Sequence, residues 1–178
     1  MWLTIFLFVI LLVVLLGVWV GVSALIGVVR TRVPLVHSSS AHAAEVFRSL
    51  HFSHSTVFYE LGSGNGRIVF LAERMGAGRI VGFELVTWAH ALACLRTWYM
   101  RSRAEFRNED FFQVSWAPAT VVYSYLLPEL LGDVERKFLA ECAPGTVLVC
   151  KDFALPTLVP SRITSFEHPH RALMYVHP

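Results

Sequence analysis

The sequence predicts an α/β fold with a mostly parallel sheet that ends in a β-hairpin and is preceded by one transmembrane helix. Three observations carry that expectation. Thr56 to Gly66 reads TVFYELGSGNG: a short run of β-formers, a carboxylate, then glycines at alternate positions. Apolar runs bounded by turn residues then alternate with segments of helical period as far as Cys150. Leu3 to Val29 contains no charged residue.

The chain has 178 residues, enough for one domain and an appendage. Hydrophobic residues make up 55% of it and the mean hydropathy is +0.55, an excess that the first segment largely explains. We therefore divide it into an anchor, residues 1–32, and a domain, residues 33–178, long enough to bury its own core. A net charge of +2 gives no support to a nucleic-acid partner. Cys94, Cys142 and Cys150 are odd in number and lack Cys-x-x-Cys spacing, so they read as reduced thiols, with no disulfide framework and no metal site.

As a helix, Leu3–Val29 would be roughly 40 Å long, against a hydrocarbon core of about 30 Å. A cleavable signal peptide is the competing reading, since Ala41-His42-Ala43 superficially resembles a cleavage site. The segment has no basic n-region and overruns the usual h-region, which favours a retained anchor in the lipid bilayer. Arg30 and Arg32 follow it and no Lys or Arg precedes it. The positive-inside rule then puts the N-terminus outside and the domain in the cytoplasm. Gly17 and Gly21 form a Gly-x-x-x-Gly pair that can pack two anchors, although glycine is common in membrane helices. Val33–Ser40 reads as a short linker, and Ser40 as the N-cap of a helix over Ala41–Leu50. His51 and His54 stand near that helix's end without a third ligand at useful spacing.

Val57, Phe58 and Tyr59 read as a buried parallel strand closed by Glu60. Gly62, Gly64 and Gly66 give the next loop access to positive φ and close approach to a ligand. Ile68, Leu71, Ala72 and Met75 then recur at helical spacing, completing half of a nucleotide-binding βαβ unit. The second strand, Arg79–Phe83, ends in Glu84, about 20 residues beyond the loop, where a carboxylate can accept from both hydroxyls of a ribose. A solvated loop acid is the plainer reading of Glu84. The dinucleotide fingerprint is broken, because Arg67 stands where Gly or Ala is wanted, and Glu60 would oppose a pyrophosphate. S-adenosyl-L-methionine, with a ribose, no phosphate and two cationic centres, fits better. ELGSGNG also resembles the acidic-x-Gly-x-Gly-x-Gly motif of class I methyltransferases. On that resemblance Glu60, Gly62, Ser63, Gly64, Asn65, Gly66 and Glu84 are the expected cofactor residues.

Thr87 reads as the N-cap of a helix to Met100, with Trp88, Ala91, Leu92, Leu95 and Trp98 or Tyr99 toward the core. Arg96, Arg101, Arg103 and Arg107, interleaved with aromatics, have the look of a nucleic-acid surface, but a solvated helix end and an edge strand, with arginine stems over apolar surface, explain them better given the mild net charge. Ala104–Arg107 is a third strand. Asp110 and Phe111 after it resemble the pair with which class I methyltransferases hold adenine, a turn acid being the alternative. Thr120–Tyr125 is a fourth strand, and its exit loop Leu126–Glu129 should face the transferring methyl. Pro128 suits the start of a helix with Leu131, Val134 and Phe138 inward. Thr146–Cys150 is a fifth strand, and Ile163–Phe166 with Ala172–Val176 reads as a closing hairpin.

A single anchor, VPLVHSSSAHAAEVF, ELGSGNGRIV, GFEL, DFF and a YLLPE loop together resemble one family. These are the membrane-associated lysine methyltransferases of the ATP synthase c subunit and the adenine nucleotide translocase, with their prokaryotic relatives. The resemblance implies a Rossmann-like class I methyltransferase domain, adenosylmethionine as cofactor, and a lysine on a membrane or membrane-adjacent protein as acceptor. Tyr125 and Glu129 are the candidate acceptor contacts. Core burial of Tyr125 and a helix-start role for Glu129 are their plain readings. A lipid, quinone or RNA acceptor, or a membrane module that binds adenosylmethionine without catalysis, would share most of these features.

Overall fold

The computed structural model of the protein describes residues 1–31 and 39–178. Arg32, on which the orientation reading partly rests, and residues 33–38 of the linker lie outside them. Helix α1 runs Trp2–Thr31, and its Trp2–Ser23 segment is long and apolar enough to cross a membrane, exposed along its length except at Val20, which is partly covered, and at Ser23, which is buried.

The domain begins with α2 (Ser40–Leu50) and then alternates: β1 (Val57–Leu61), α3 (Arg67–Arg74), β2 (Arg79–Phe83), α4 (Thr87–Met100), β3 (Glu105–Arg107), β4 (Val121–Ser124), α5 (Pro128–Glu141) and β5 (Val147–Lys151). The hairpin β6 (Arg162–Ser165) and β7 (Arg171–Val176) closes it. All seven strands form one sheet in the order β3-β2-β1-β4-β5-β7-β6. β1 to β5 pair in parallel, and β7 runs antiparallel to both β5 and β6. The expected strands are all present within a residue or two of their predicted bounds. The central ones are apolar on both faces because helices cover both. Ala43, Val46 and Phe47 of α2 and Ile68 to Ala72 of α3 pack on one side with Phe58, Ile80 and Tyr123. Leu131, Val134 and Phe138 of α5 pack on the other with Trp116, Val122 and Leu148. The chain leaves β1 toward β2 and β3, then returns to β4 on the opposite flank. The carboxyl ends of β1 and β4 therefore bound a topological switch point, where such sheets hold ligands.

Three local expectations are corrected. Glu60 does not close β1 but lies inside it, opposite Gly82 and Tyr123, so the strand continues to Leu61. Ser40 and Thr87 are first helical residues, not caps; the N-cap positions are Ser39 and Val86, and neither makes a side-chain capping bond. The apolar stripe of α4 does not face the core. Ala89 and Ala93 are its buried residues, while Leu92, Leu95, Trp98 and Tyr99 are exposed. α4 covers the edge of the sheet, where β3 has only three residues, and close approach there selects the small side chains one position along the helix.

Candidate active site

The glycine loop is shaped by its own backbone. Gly62 and Ser63 both donate their N–H to Phe83 O, at 3.0 and 2.9 Å, which ties the loop to the end of β2. Gly66 has φ +80°, and a Cβ there would stand 2.4 Å from the Phe106 ring, so only glycine fits without displacing that side chain. Gly64 also has positive φ, +53°, but a Cβ on it would meet nothing within 4 Å. The loop is thus packed underneath and open at Gly64. The Ser63 hydroxyl is buried and has no hydrogen-bond partner among the described residues. Arg96 donates to Asn65 O at 2.8 Å and lays its guanidinium over the Phe70 ring, bracing the loop from behind.

Two carboxylates flank this loop with different partners. Glu84 follows β2, is 5% exposed, and accepts from Gly64 N–H through Oε2 and from Val86 N–H through Oε1, both at 2.7 Å. Burial pushes its carboxyl up, and the backbone N–H groups of Val86, Gly64 and Leu85 offset this only in part. Its own carbonyl accepts from Asn108 Nδ2 at 2.6 Å, which locks the end of β2 to the loop after β3. Glu60 is as deeply buried, and its Oε2 accepts from Val69 N–H, at 3.1 Å, in the first turn of α3. Burial raises its carboxyl well above the usual range, eased by the Val69 bond and reinforced by the neighbouring Glu84 charge. Glu60 therefore braces a helix start from beneath the loop, a role that strand-end position alone does not reveal.

Asp110 is half-buried and accepts from Phe112 N–H at 2.9 Å, forming a short turn. Phe111 is 9% exposed and packs into the core against Phe112 and Trp116, whose Nε1 donates to Phe111 O. Glu129 is exposed in the first turn of α5.

Tyr125 joins a cluster that no sequence motif reveals. Lys151 ends β5 and is 4% exposed; its Nζ lies 2.6 Å from Asp152 Oδ2 and 4.3 Å from the Tyr125 ring centre. His170, just before β7, places Nδ1 3.0 Å from the same Asp152 oxygen. The Tyr125 hydroxyl also bonds Asp152, and burial together with that carboxylate raises the tyrosine's pKa. Burial pushes the Asp152 carboxyl up, but bonds from Lys151, Arg171 N–H, His170 and Tyr125 together bring it down to about 2. Asp152 holds φ +67°, an uncommon conformation for a residue with a side chain. The only signal in sequence was Lys-Asp at a strand's carboxyl end; His170 is distant in sequence and arrives through the hairpin.

Of the four arginines with a nucleic-acid look, Arg96 holds the loop, Arg103 pairs with Glu73, and Arg107 pairs with Glu105. Among the described residues, no group of three or more His, Cys, Asp or Glu is arranged to hold a metal ion. Burial raises Cys142 to about 11 and Cys150 to about 12, so neither is poised as a thiolate nucleophile.

Comparison with known proteins shows the family and the fold. The model of a family described as the ANTKMT methyltransferase domain matches residues 60–162. The mouse adenine nucleotide translocase lysine N-methyltransferase is 35% identical over 133 residues, covering 74% of this chain and 58% of its own length. The mouse lysine N-methyltransferase of the ATP synthase c subunit is 28% identical over 134 residues, with 74% and 53% covered. The chain thus spans a little over half the length of these relatives. A protein-lysine N-methyltransferase from Saccharolobus islandicus is 27% identical over 150 residues, which is 93% of its length. Among solved structures, one described as an RNA methyltransferase from Salinibacter ruber in complex with S-adenosyl-L-homocysteine superposes with a TM-score of 0.74 at 29% identity. It covers 80% of this chain and 94% of that one.

Proposed function

The chain belongs to the ANTKMT methyltransferase domain family and has the Rossmann-like class I methyltransferase fold, and from that premise we propose that it transfers a methyl group from S-adenosyl-L-methionine to lysine on a membrane or membrane-adjacent protein. One observation carries the cofactor end: Glu84, at the end of β2, grips the Gly64 N–H of the open glycine loop after β1. That carboxylate would take the ribose hydroxyls. The loop Gly62, Ser63, Gly64, Asn65 and Gly66 would cradle the methionine portion, with Glu60 supporting it from below. The orphan Ser63 hydroxyl beside a glycine that is bare on its open side suits such a ligand. Asp110 is the adenine-side acceptor in this reading, and Phe111 sets the floor there from within the core. The cofactor supplies an electrophilic methyl on sulfur; the protein supplies alignment, since in-line displacement depends chiefly on the placement of nucleophile and carbon.

The acceptor end is read at the carboxyl edge of β4 and β5. Tyr125 presents a ring over the Lys151 ammonium, and Asp152 holds Tyr125, Lys151 and His170 in one network. An acceptor lysine must lose a proton, which costs about 4 kcal/mol near neutral pH from its reference pKa. An apolar mouth and the adjacent sulfonium of the cofactor would both favour the neutral amine. Glu129, exposed at the rim, is the candidate contact with the rest of the acceptor protein.

Membrane placement rests on α1. Ser23, within the uncharged run of α1, accepts from Trp88 N–H at 3.1 Å, four residues beyond Glu84. The end of the span and the cofactor cradle are thereby neighbours, and tethering raises the encounter rate with acceptors in the same membrane. We read the N-terminus as outside and the domain as cytoplasmic. The test is incubation of the full chain with methyl-labelled adenosylmethionine and host membranes, followed by mass spectrometry. Label on lysine of a membrane protein is expected, and its loss with Glu84→Ala. Label confined to lipid, quinone or RNA would overturn the acceptor assignment.

A further inference from the structure

The outward face of α4 carries no charge. Ala91, Leu92, Cys94, Leu95, Trp98 and Tyr99 are all exposed, Trp98 at 77% and Tyr99 at 82%. The helix has one arginine, Arg96, and it turns inward to Asn65 and Phe70. Burial lowers the pKa of His90, favouring its neutral form. No other described helix outside α1 looks like this: α2 and α3 expose no large hydrophobic side chain, and α5 exposes one, Leu139. Isolated apolar side chains on a surface need no explanation, but a continuous stripe ending in two aromatics does.

Position says what covers it. The first turn of α4 is bonded to α1 at Ser23, through Trp88 N–H to Ser23 Oγ, six residues before the uncharged run of α1 ends at Val29. Trp2–Ser23 is 22 residues long, which as a helix is about 33 Å and matches a hydrocarbon core of about 30 Å. If that segment spans, with the rest of the uncharged run of α1 overhanging it, the first turn of α4 stands at the hydrocarbon boundary and its bare apolar face begins there. Trp and Tyr are the residues that settle at headgroup level. Exposed Arg101 and Arg103 follow immediately, where lipid phosphates would be met.

We propose that α4 is an interfacial helix, lying in the headgroup layer of the bilayer that α1 crosses, with Leu92, Leu95, Trp98 and Tyr99 seated at the acyl boundary. This rests on the reading of α1 as a span and adds to it a second, lateral contact with the membrane. Its consequence is orientation. A helix of a βαβ unit runs back along its strands, so a flat α4 lays the strands along the membrane plane. The cleft then opens sideways at headgroup height, toward acceptors at the membrane surface rather than in bulk water.

Cys94 is a native reporter on this face, since Cys142 and Cys150 are buried. The full chain, reconstituted in phosphatidylcholine–phosphatidylglycerol vesicles, is labelled with a nitroxide at Cys94. Its collisions with oxygen, which concentrates in lipid, are compared with those with a water-soluble nickel chelate. Oxygen should dominate at Cys94 and nickel at a label on Val159→Cys in a Cys94→Ser chain, a position 86% exposed. Leu95→Glu with Trp98→Glu should reverse the order at Cys94 while the chain stays in the membrane. Nickel access at Cys94 equal to that at position 159, in a chain that resists alkaline carbonate, overturns this proposal alone. Dipolar broadening between two Cys94 labels would assign the face to a second copy and overturn it as well. A chain stripped off by carbonate overturns the span and the proposal together.

Discussion

Along the carboxyl edge of the sheet, the β1–β2 side and the β4–β5–β7 side hold their charged groups by different means. On the first side the partners are backbone: Glu84 takes Gly64 and Val86 N–H, and Glu60 takes Val69 N–H. On the second the partners of Asp152 are mostly side chains, namely Lys151, His170 and Tyr125. The pKa values follow. Deeply buried carboxyls met only by N–H dipoles stay raised, as at Glu60 and Glu84, whereas the less deeply buried Asp152, met by an ammonium, a backbone N–H, an imidazole and a phenol, falls to about 2. A carboxylate lacking a paired cation has its attraction for charge unspent, which suits a cationic ligand. A neutralised one is a fixed scaffold for whatever docks beside it.

The largest effect that would break this comparison belongs to Glu84→Ala. Losing its bonds to a ribose should cost about 1.5–3 kcal/mol, or roughly 10–150-fold in adenosylmethionine affinity by titration calorimetry. Asp152→Asn should leave that affinity unchanged while depressing methylation of membranes; an equal loss of cofactor affinity would erase the distinction between the two sides.

Effects on stability come next. Gly66→Ala introduces a Cβ at φ +80° against Phe106, and about 1–3 kcal/mol should be lost in urea unfolding. A midpoint unchanged from wild type would mean that the loop is more plastic than its packing suggests. The depressed pKa of Asp152, discounted for screening by solvent, gives about 1–2 kcal/mol of stability at neutral pH. Since the folded value lies below the unfolded one, this stabilisation is present above the ordinary value of 3.8 and disappears as pH falls through about 2. Asp152→Asn should flatten that limb of the stability profile.

Such differences also explain what the sequence made legible. Glu84 and the glycine loop lie within one βαβ unit, so strand, turn and carboxylate spacing betray them before any tertiary contact is known. The same holds for the succession of strands and helices, since apolar runs alternate with segments of helical period. Lys151, Asp152 and His170 meet only because β7 turns back beside β5, and a hairpin register is not written in any local pattern. Glu60 is legible as a motif acid, but the direction of its side chain depends on where α3 begins. α4 carries two apolar stripes. The larger side chains set the expectation, while the edge strand accepts only Ala89 and Ala93.

The smallest expected effect is in pH. Raised Glu84 binds a proton more readily than an ordinary carboxyl, and a protonated acid accepts poorly from a second ribose hydroxyl. Affinity for adenosylmethionine should therefore weaken as pH is lowered, starting above the usual carboxylate range. Glu84→Gln should remove that dependence; a profile unaltered by the substitution would assign it elsewhere.

The most direct measurement is a crystal structure of the chain with S-adenosyl-L-homocysteine bound. Both ribose hydroxyls should lie within about 2.6–3.0 Å of the Glu84 carboxylate, with the amino acid portion resting over Gly64. A ribose held by another acid, with Glu84 still turned only to Gly64 and Val86, would contradict this assignment.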